Sequence, residues 1–509
     1  MKLLPLLPTL ALALPAAAQN PELTQHGGAV PGTTTLTLDA GPAAANELYG
    51  IVVASSEAPT EVLPGVTLDV TLDLLHLTFQ VPGLFGTLDG AGQRQLAIPL
   101  SAPGLVGARF ASQALVGPSF DAPSNLLRTT LAAPGTFAET LGAPTLPIVG
   151  GAAFVEPSGD VLFAGGSGPV AQRYRTDLEE WESAGVSFGV GILGVSTALA
   201  DGRVVFTGGL DTGGQPTANA AVWDPLAETT TELTMQSPRA GHAATLLADG
   251  RVMVTGGFAN VTLDLEAILA DPLQALGVFS GLVGTTEFFD PNSMAFTAGP
   301  TMLEPRALHT ATALPNGKLL VAGGMTLIPI LGLPTVSQTA YTYDPLFGLF
   351  GLPMVFDGPR LAHSAVLQGD GSVLLVGGVT LDLSGFISSG GDLTQLAVGT
   401  RDDIVRFTSG FFGGSFSNAG TLSESRAAAG LGVTESGAVL VAGGFHLALS
   451  ADLTALDFGL STSADRYVQG SGVTPVGDLT VERIQPLITA LPDGTLLVTG
   501  GTTAEVFQP

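Results

Sequence analysis

ALPDGTLLVTGG, residues 490–501, is the last of seven versions of one twelve-residue phrase. The others are VEPSGDVLFAGG from Val155, ALADGRVVFTGG from Ala198, LLADGRVMVTGG from Leu246, ALPNGKLLVAGG from Ala313, LQGDGSVLLVGG from Leu367 and VTESGAVLVAGG from Val433. The fourth and fifth positions are Ser-Gly, Asp-Gly or Asn-Gly. These pairs tolerate the positive φ angles of a two-residue type I′ turn, so each phrase reads as strand, turn, strand. The run after the turn, such as Val373 to Val376, is continuously apolar, as expected of a strand covered on both faces. The closing glycine pair suits a place where backbones approach too closely for a side chain.

Working outward, the glycine pairs end at Gly166, Gly209, Gly257, Gly324, Gly378, Gly444 and Gly501, at spacings of 43, 48, 67, 54, 66 and 57 residues. A four-stranded propeller blade needs roughly 40 to 50 residues, so the short spacings fit a bare blade and the long ones carry insertions. An aromatic marks a third strand after each pair: Tyr174, Trp223, Phe289, Tyr343, Phe407, Tyr467 and Phe507. Three of these strands end in Asp-Pro (Asp224-Pro225, Asp290-Pro291, Asp344-Pro345), because proline cannot donate to a ladder. The next blade is announced by Arg239/His242, Arg306/His309 and Arg360/His363, and later by Arg426 and Arg483 alone.

Arg-x-x-His before a hairpin, a double glycine after it and an aromatic-Asp-Pro strand together resemble bacterial kelch repeats. The resemblance covers residues 135–509 and implies an all-β, seven-bladed kelch-type β-propeller. Blades one, six and seven depart most from the pattern, lacking the histidine. The chain stops at Pro509, just after the third strand of the last blade. The segment 135–141, GTFAETL, stands where a fourth strand would, and is expected to complete that blade and remove an exposed sheet edge.

Residues 19–132 carry no copy of the phrase and are expected to form a separate, β-sandwich-like module, ahead of a propeller spanning 133–509. Alternating runs such as TLDVTLDL, 67–74, bounded by Pro and Gly clusters, read as its strands. LAIPLSAPGLVGARFASQALV, 96–116, resembles a module found at the ends of exported bacterial proteins. The N-terminus has Lys2, an apolar stretch from Leu3 to Leu14 and Ala16-Ala17-Ala18, the layout of a signal peptide cleaved after Ala18. The stretch is too short and too rich in proline to span a bilayer. A secreted, periplasmic or cell-surface protein is expected, monomeric and without a membrane span.

The chain has no cysteine, so its stability must come from a large β core. Its formal net charge is −27, with Lys2 and Lys318 the only lysines. Phosphate binding needs clustered cations, so nucleic acid and anionic membranes are excluded as partners. Solubility is one reading of this charge and Ca²⁺ binding by carboxylates is the other.

Extra length collects in the loops that follow the glycine pairs, about 258–285, 325–339, 379–403 and 445–464. The kelch resemblance puts these loops on one face, and long loops on a rigid scaffold are where function concentrates. The leucines in these loops suit either a lid packed on the propeller or a partner-binding surface. The candidate ligand-contacting residues there are Asp264, Glu266, Asp271, Asp382, Asp392, Asp402, Asp403, Asp452 and Asp457, with His446 the one histidine on this face. None has the spacing of a calcium loop. The repeated Arg239, His242, Arg306, His309, Arg360, His363, Arg426 and Arg483 read as structural, since a repeated polar residue most often satisfies a repeated buried hydrogen-bond need.

Galactose oxidase is similar in blade type, but its copper radical site needs a tyrosine cross-linked to cysteine, which this chain cannot supply. Trp181 and Trp223 lie in no Ser-x-Asp-x-Gly-x-x-Trp box, and no Gly-x-Ser-x-Gly elbow, His-Glu-x-x-His or P-loop is present. The expected function is therefore non-catalytic binding of a protein or glycan ligand through the loop face, with no cofactor. A carbohydrate-active enzyme using the insertion acids is the alternative.

Overall fold

A computed structural model describes residues 20–509, apart from 64–65, 102–104, 118–121, 141, 149–150, 166–169, 187, 189–190, 261–280, 329–333, 383–384, 386–387, 390–396, 411–412 and 450–455. The expected signal peptide lies outside the described residues. The chain divides into two compact units, one ending at Leu131 and the other running from Ala132 to Pro509.

In the first unit a three-stranded sheet (Glu22–His26, Gly32–Asp39, Gln93–Leu100) and a five-stranded one (Leu48–Ala54, Phe85–Thr87, Arg109–Val116, Ala122–Pro123, Leu127–Thr130) share one core. Leu23, Leu36 and Leu38 of the first sheet meet Tyr49, Ile51, Ala114 and Val116 of the second. The run 67–74 is not the single strand its alternation predicts. The strand is only Val66–Leu68, and a six-residue helix, Leu75–Gln80, follows. Asp73 explains the break, because its carboxylate accepts from the Ser55 amide (3.3 Å) and the Thr71 hydroxyl (2.5 Å). Such local side-chain bonds compete with a ladder.

The second unit contains, among the described residues, seven sheets of one design, each antiparallel and built outward strand by strand. Their innermost strands, Ala152–Val155, Val195–Ala198, Ala243–Leu246, Thr310–Ala313, Ser364–Leu367, Gly430–Val433 and Leu487–Ala490, touch in that order, and the last touches the first. This closed cycle is a β-propeller. Within every sheet the second strand is fully buried, and its first residue pairs with the blade aromatic: Val161 with Tyr174, Val204 with Trp223, and so on to Leu496 with Phe507. Thr136–Glu139 pairs with Ala504–Gln508, so the outermost strand of the seventh sheet comes from the start of the unit.

The hairpin turns correct the expectation of a two-residue type I′ loop. In blade two the Leu199 amide donates to the Arg203 carbonyl (2.8 Å) and the Gly202 amide to the Leu199 carbonyl (3.1 Å). The connection is thus three residues, a type I turn plus one left-handed glycine, and only Gly202 has positive φ (86°). The acid decides this geometry. Asp201 Oδ1 accepts from the Arg203 amide at 3.1 Å, and Asp249, Asn316 and Asp493 do the same in their blades.

Just ahead of the innermost strands the blades are laced together by backbone alone. The Gly241 amide donates to Leu193, Leu308 to Gly241, Ala362 to Leu308, Ala428 to Ala362 and Gln485 to Ala428, all at 2.8–2.9 Å. All six residues have left-handed φ, from 47° to 62°, although only one is glycine. That conformation costs an ordinary residue on the order of 1 kcal/mol, so the fold holds a repeated strain at its hub.

Candidate functional site

Five arginines that precede a blade are buried completely beneath the loop face. Each links two blades. The Arg239 carbonyl accepts from the Gly209 amide of the preceding blade (2.8 Å), while its guanidinium donates to the Gly256 carbonyl of its own (2.9 Å). Arg306 does the same with Gly257 and Gly323, Arg360 with Gly324 and Gly377, and Arg483 with Gly444 and Gly500. This is why the phrase ends in glycine. A Cβ on Gly208, Gly256 or Gly323 would strike the carbonyl of the next arginine, and would lie 2.8 Å from Cε1 of the next histidine.

A buried cation needs a buried partner, and the blade supplies one. Arg239 meets Glu287 at 2.8 Å, Arg426 meets Asp465 at 3.0 Å and Arg483 meets Glu505 at 2.7 Å. Glu287, Asp465 and Glu505 each lie two residues before the blade aromatic, a spacing visible in the sequence. Blade four has Tyr341 at that register position, under the Arg306 guanidinium at 4.7 Å, and the carboxylate comes from Glu304 at 2.7 Å. Asp403, expected as a ligand-facing loop acid, instead starts the strand Asp403–Gly410. It is bound by Arg360 (2.8 Å) and Arg401 (2.7 Å), which hold its carboxyl below the usual range despite burial.

The three histidines bridge blades as well. Nε2 of His242, His309 and His363 lies 2.8 Å from the hydroxyls of Thr207, Thr255 and Thr310, each in the preceding blade. Burial, reinforced by the adjacent arginine, pushes His242 and His309 down to about 3 and His363 well below its ordinary value. All three are neutral imidazoles at any physiological pH.

Above this layer the insertions of blades five and six pair with each other. Val379–Asp382, Ala397–Thr400, Phe445–Leu449 and Leu456–Leu460 form one four-stranded sheet, joined across blades where Gly399 faces Ala448. Met325–Leu327 and Pro334–Val336 form a separate ribbon. Each insertion is anchored at its first residue: Met325 bridges Ala307, Val379 bridges Leu361 and Phe445 bridges Ala427, the residue after each arginine.

Asp382, His446 and Asp457 therefore share the four-stranded sheet, where Asp457 is exposed, and Asp402 is exposed beside the strand of Asp403. Asp264, Glu266, Asp271, Asp392 and Asp452 lie outside the described residues. His446 stands over Gly459 across the ladder, with Nδ1 4.0 Å from Glu424 Oε1. Glu424 was not expected at the site. Its Oε2 accepts from the hydroxyls of Ser461 and Ser463, both at 2.6 Å. Burial pushes Glu424 up, but these bonds together with Arg426 and His446 outweigh it and hold the carboxyl below its usual value. His446 and Glu424 keep 35% and 40% of their side chains exposed, so the pair is open to a ligand. The serines donate to the carboxylate rather than to the imidazole, so no nucleophile–base contact forms here. Phe458 emerges from the opposite side of the same sheet, packed on Phe445 with 56% of its surface exposed. Among the described residues no three His, Asp or Glu side chains gather as a metal site.

No protein-family model and no curated protein matches the chain. Solved structures do. A fungal alcohol oxidase with catalytic diversity among the AA5 family, in complex with copper, has 18% identity and a TM-score of 0.50, over 73% of this chain and 75% of its own. The two share a propeller fold. YjhT, also 18% identical, aligns over 65% of this chain and 98% of its own with a TM-score of 0.46. All five tyrosines here, Tyr49, Tyr174, Tyr341, Tyr343 and Tyr467, are buried, and the chain has no cysteine. Among the described residues no helix is long and apolar enough to cross a membrane.

Proposed function

We propose that the protein is an exported, non-catalytic kelch propeller that binds a protein or glycan ligand through its insertion-bearing face. The sheet shared by the insertions of blades five and six carries this reading, because it makes a rigid platform of two loops that could otherwise have moved separately. The buried arginines of these two blades are already committed, Arg360 to Asp403 and Arg426 to Asp465. The open polar groups are on the platform itself. His446, on one face of the sheet, and Glu424 beside it offer a donor and an acceptor to a hydroxylated or amide ligand.

The alternative, glycoside hydrolysis, needs two carboxyl groups about 5 to 9.5 Å apart across a cleft. Asp403 is removed from that search by its two arginines.

Melting the mature chain against a panel of oligosaccharides, with and without Ca²⁺, tests the proposal, since a ligand of the native state raises the melting temperature. A saccharide-specific shift abolished by His446→Ala with Glu424→Gln supports glycan binding at the platform. A shift with Ca²⁺ alone assigns the acids to metal, and release of reducing sugar by the purified protein overturns the non-catalytic reading.

A further inference from the structure

The outer edge of blade four is more apolar than those of blades two and five. Residues 345–356, PLFGLFGLPMVF, contain no charge. Leu346, Phe347, Leu349, Leu352 and Val355 are each between 63% and 84% exposed. The corresponding outer strands of blades two and five, TTTELTMQSPR and GGSFSNAGT, are polar. Five such side chains expose on the order of 600 Å², the most that a monomer ordinarily leaves bare. The edge is unsuited to strand addition, because its strand is broken into Leu349–Phe350 and Met354–Val355, with Pro353 between. It offers side chains, not a backbone ladder.

Charge selects the occupant. From Arg173 to Arg483 the basic side chains of this unit, Arg466 apart, are tied to carboxylates of their own, as Lys318 is to Asp344 and Arg251 to Asp249, while the whole chain carries −27. A second copy or an anionic membrane would be repelled, and a cationic partner attracted. The area is below the roughly 800 Å² per partner of a stable domain–domain interface, so it suits a short segment. We propose that the edge of blade four is a second docking surface, which takes a polypeptide segment bearing large apolar side chains flanked by Lys or Arg.

The probe is a fluorescent peptide of alternating Leu and Lys clusters, with a Leu/Glu counterpart, titrated by anisotropy into the mature chain. The triple variant Leu346→Ser/Leu352→Ser/Val355→Ser and the single Leu352→Ser leave the charge unchanged and touch only exposed positions. Leu226→Ser, at an equally bare leucine of blade two, is the control. The expected result is Leu/Lys binding that weakens as NaCl rises from about 50 to about 300 mM. The triple variant should bind at least about tenfold more weakly, the single variant in between, and Leu226→Ser within about twofold of the parent. Equal binding by parent and triple variant, or equal binding of both peptides, overturns the proposal. Dimerisation of the parent, or its binding to zwitterionic vesicles, lost in the triple variant would assign the edge to another occupant and overturn it as well.

Discussion

Blades three and four meet the same requirement by different means. Arg239 of blade three has all its donors engaged and its counter-ion, Glu287, comes from the strand beneath and is itself buried. Arg306 of blade four sits on Tyr341, keeps an Nε without a partner, and borrows Glu304 from the approach to the blade, a carboxylate one-third exposed. Burial pulls the pKa of Arg306 below its ordinary value. The repeat thus conserves the cation, whose guanidinium and carbonyl hold two blades, and lets the anion move. Blade seven repeats the blade-three arrangement contact for contact, with Thr503 and Glu505 in place of Thr285 and Glu287.

The sharpest way to break this comparison is to remove each anion. Glu287→Ala leaves a buried guanidinium uncompensated and should cost about 3–5 kcal/mol, whereas Glu304→Ala, at a partly solvated site, should cost about 1 kcal/mol. Equal losses in urea-denaturation midpoints would show that burial does not separate the two pairs. Next in size is the seam between these blades. Gly256→Ala would drive a methyl into the Arg306 carbonyl and toward His309, at a cost of several kcal/mol. Gly250→Ala, in the hairpin turn with open space around it and φ of 85°, should cost only its backbone strain of about 1 kcal/mol. Matching melting temperatures for the two variants would refute the seam contact.

The effect that is smallest near neutrality, and grows only with acid, is set by pH. His242 and His309 titrate at about 3 in the folded chain against about 6.5 when unfolded, so between these values the unfolded state takes up protons that the folded state refuses. Stability is full above pH 6.5 and should fall below it by up to about 1.4 kcal/mol per pH unit for each histidine. His309→Gln should lower stability at pH 7 yet flatten the acid slope; an unchanged slope would mean that the imidazole is not what titrates.

The blade pattern could be read from the chain because each blade repeats its local needs: apolar second strand, buried aromatic, glycine pair. The counter-ions were harder to read. Arg239 and Glu287 are 48 residues apart but Arg483 and Glu505 only 22, since an insertion of variable length lies between them. Asp403 borders such an insertion and so resembled a loop acid until its strand register placed it under Arg360. The turn is ambiguous in the sequence for another reason. Asp-Gly serves both loop lengths, and the bond from the Asp side chain to the amide two residues on chooses between them. The pairing of the insertions in blades five and six follows from neighbouring blade positions, which no local pattern encodes.

The lacing of peptide groups from Leu193 to Gln485 has an electrical consequence. In a helix such groups align along one axis and add up to a field at its ends. Here each N–H points back to the blade before it, so over the five seams that carry such a bond the groups turn with the ring instead of stacking along one axis. They build no helix-like field, and the long-range potential is left to the net charge of −27.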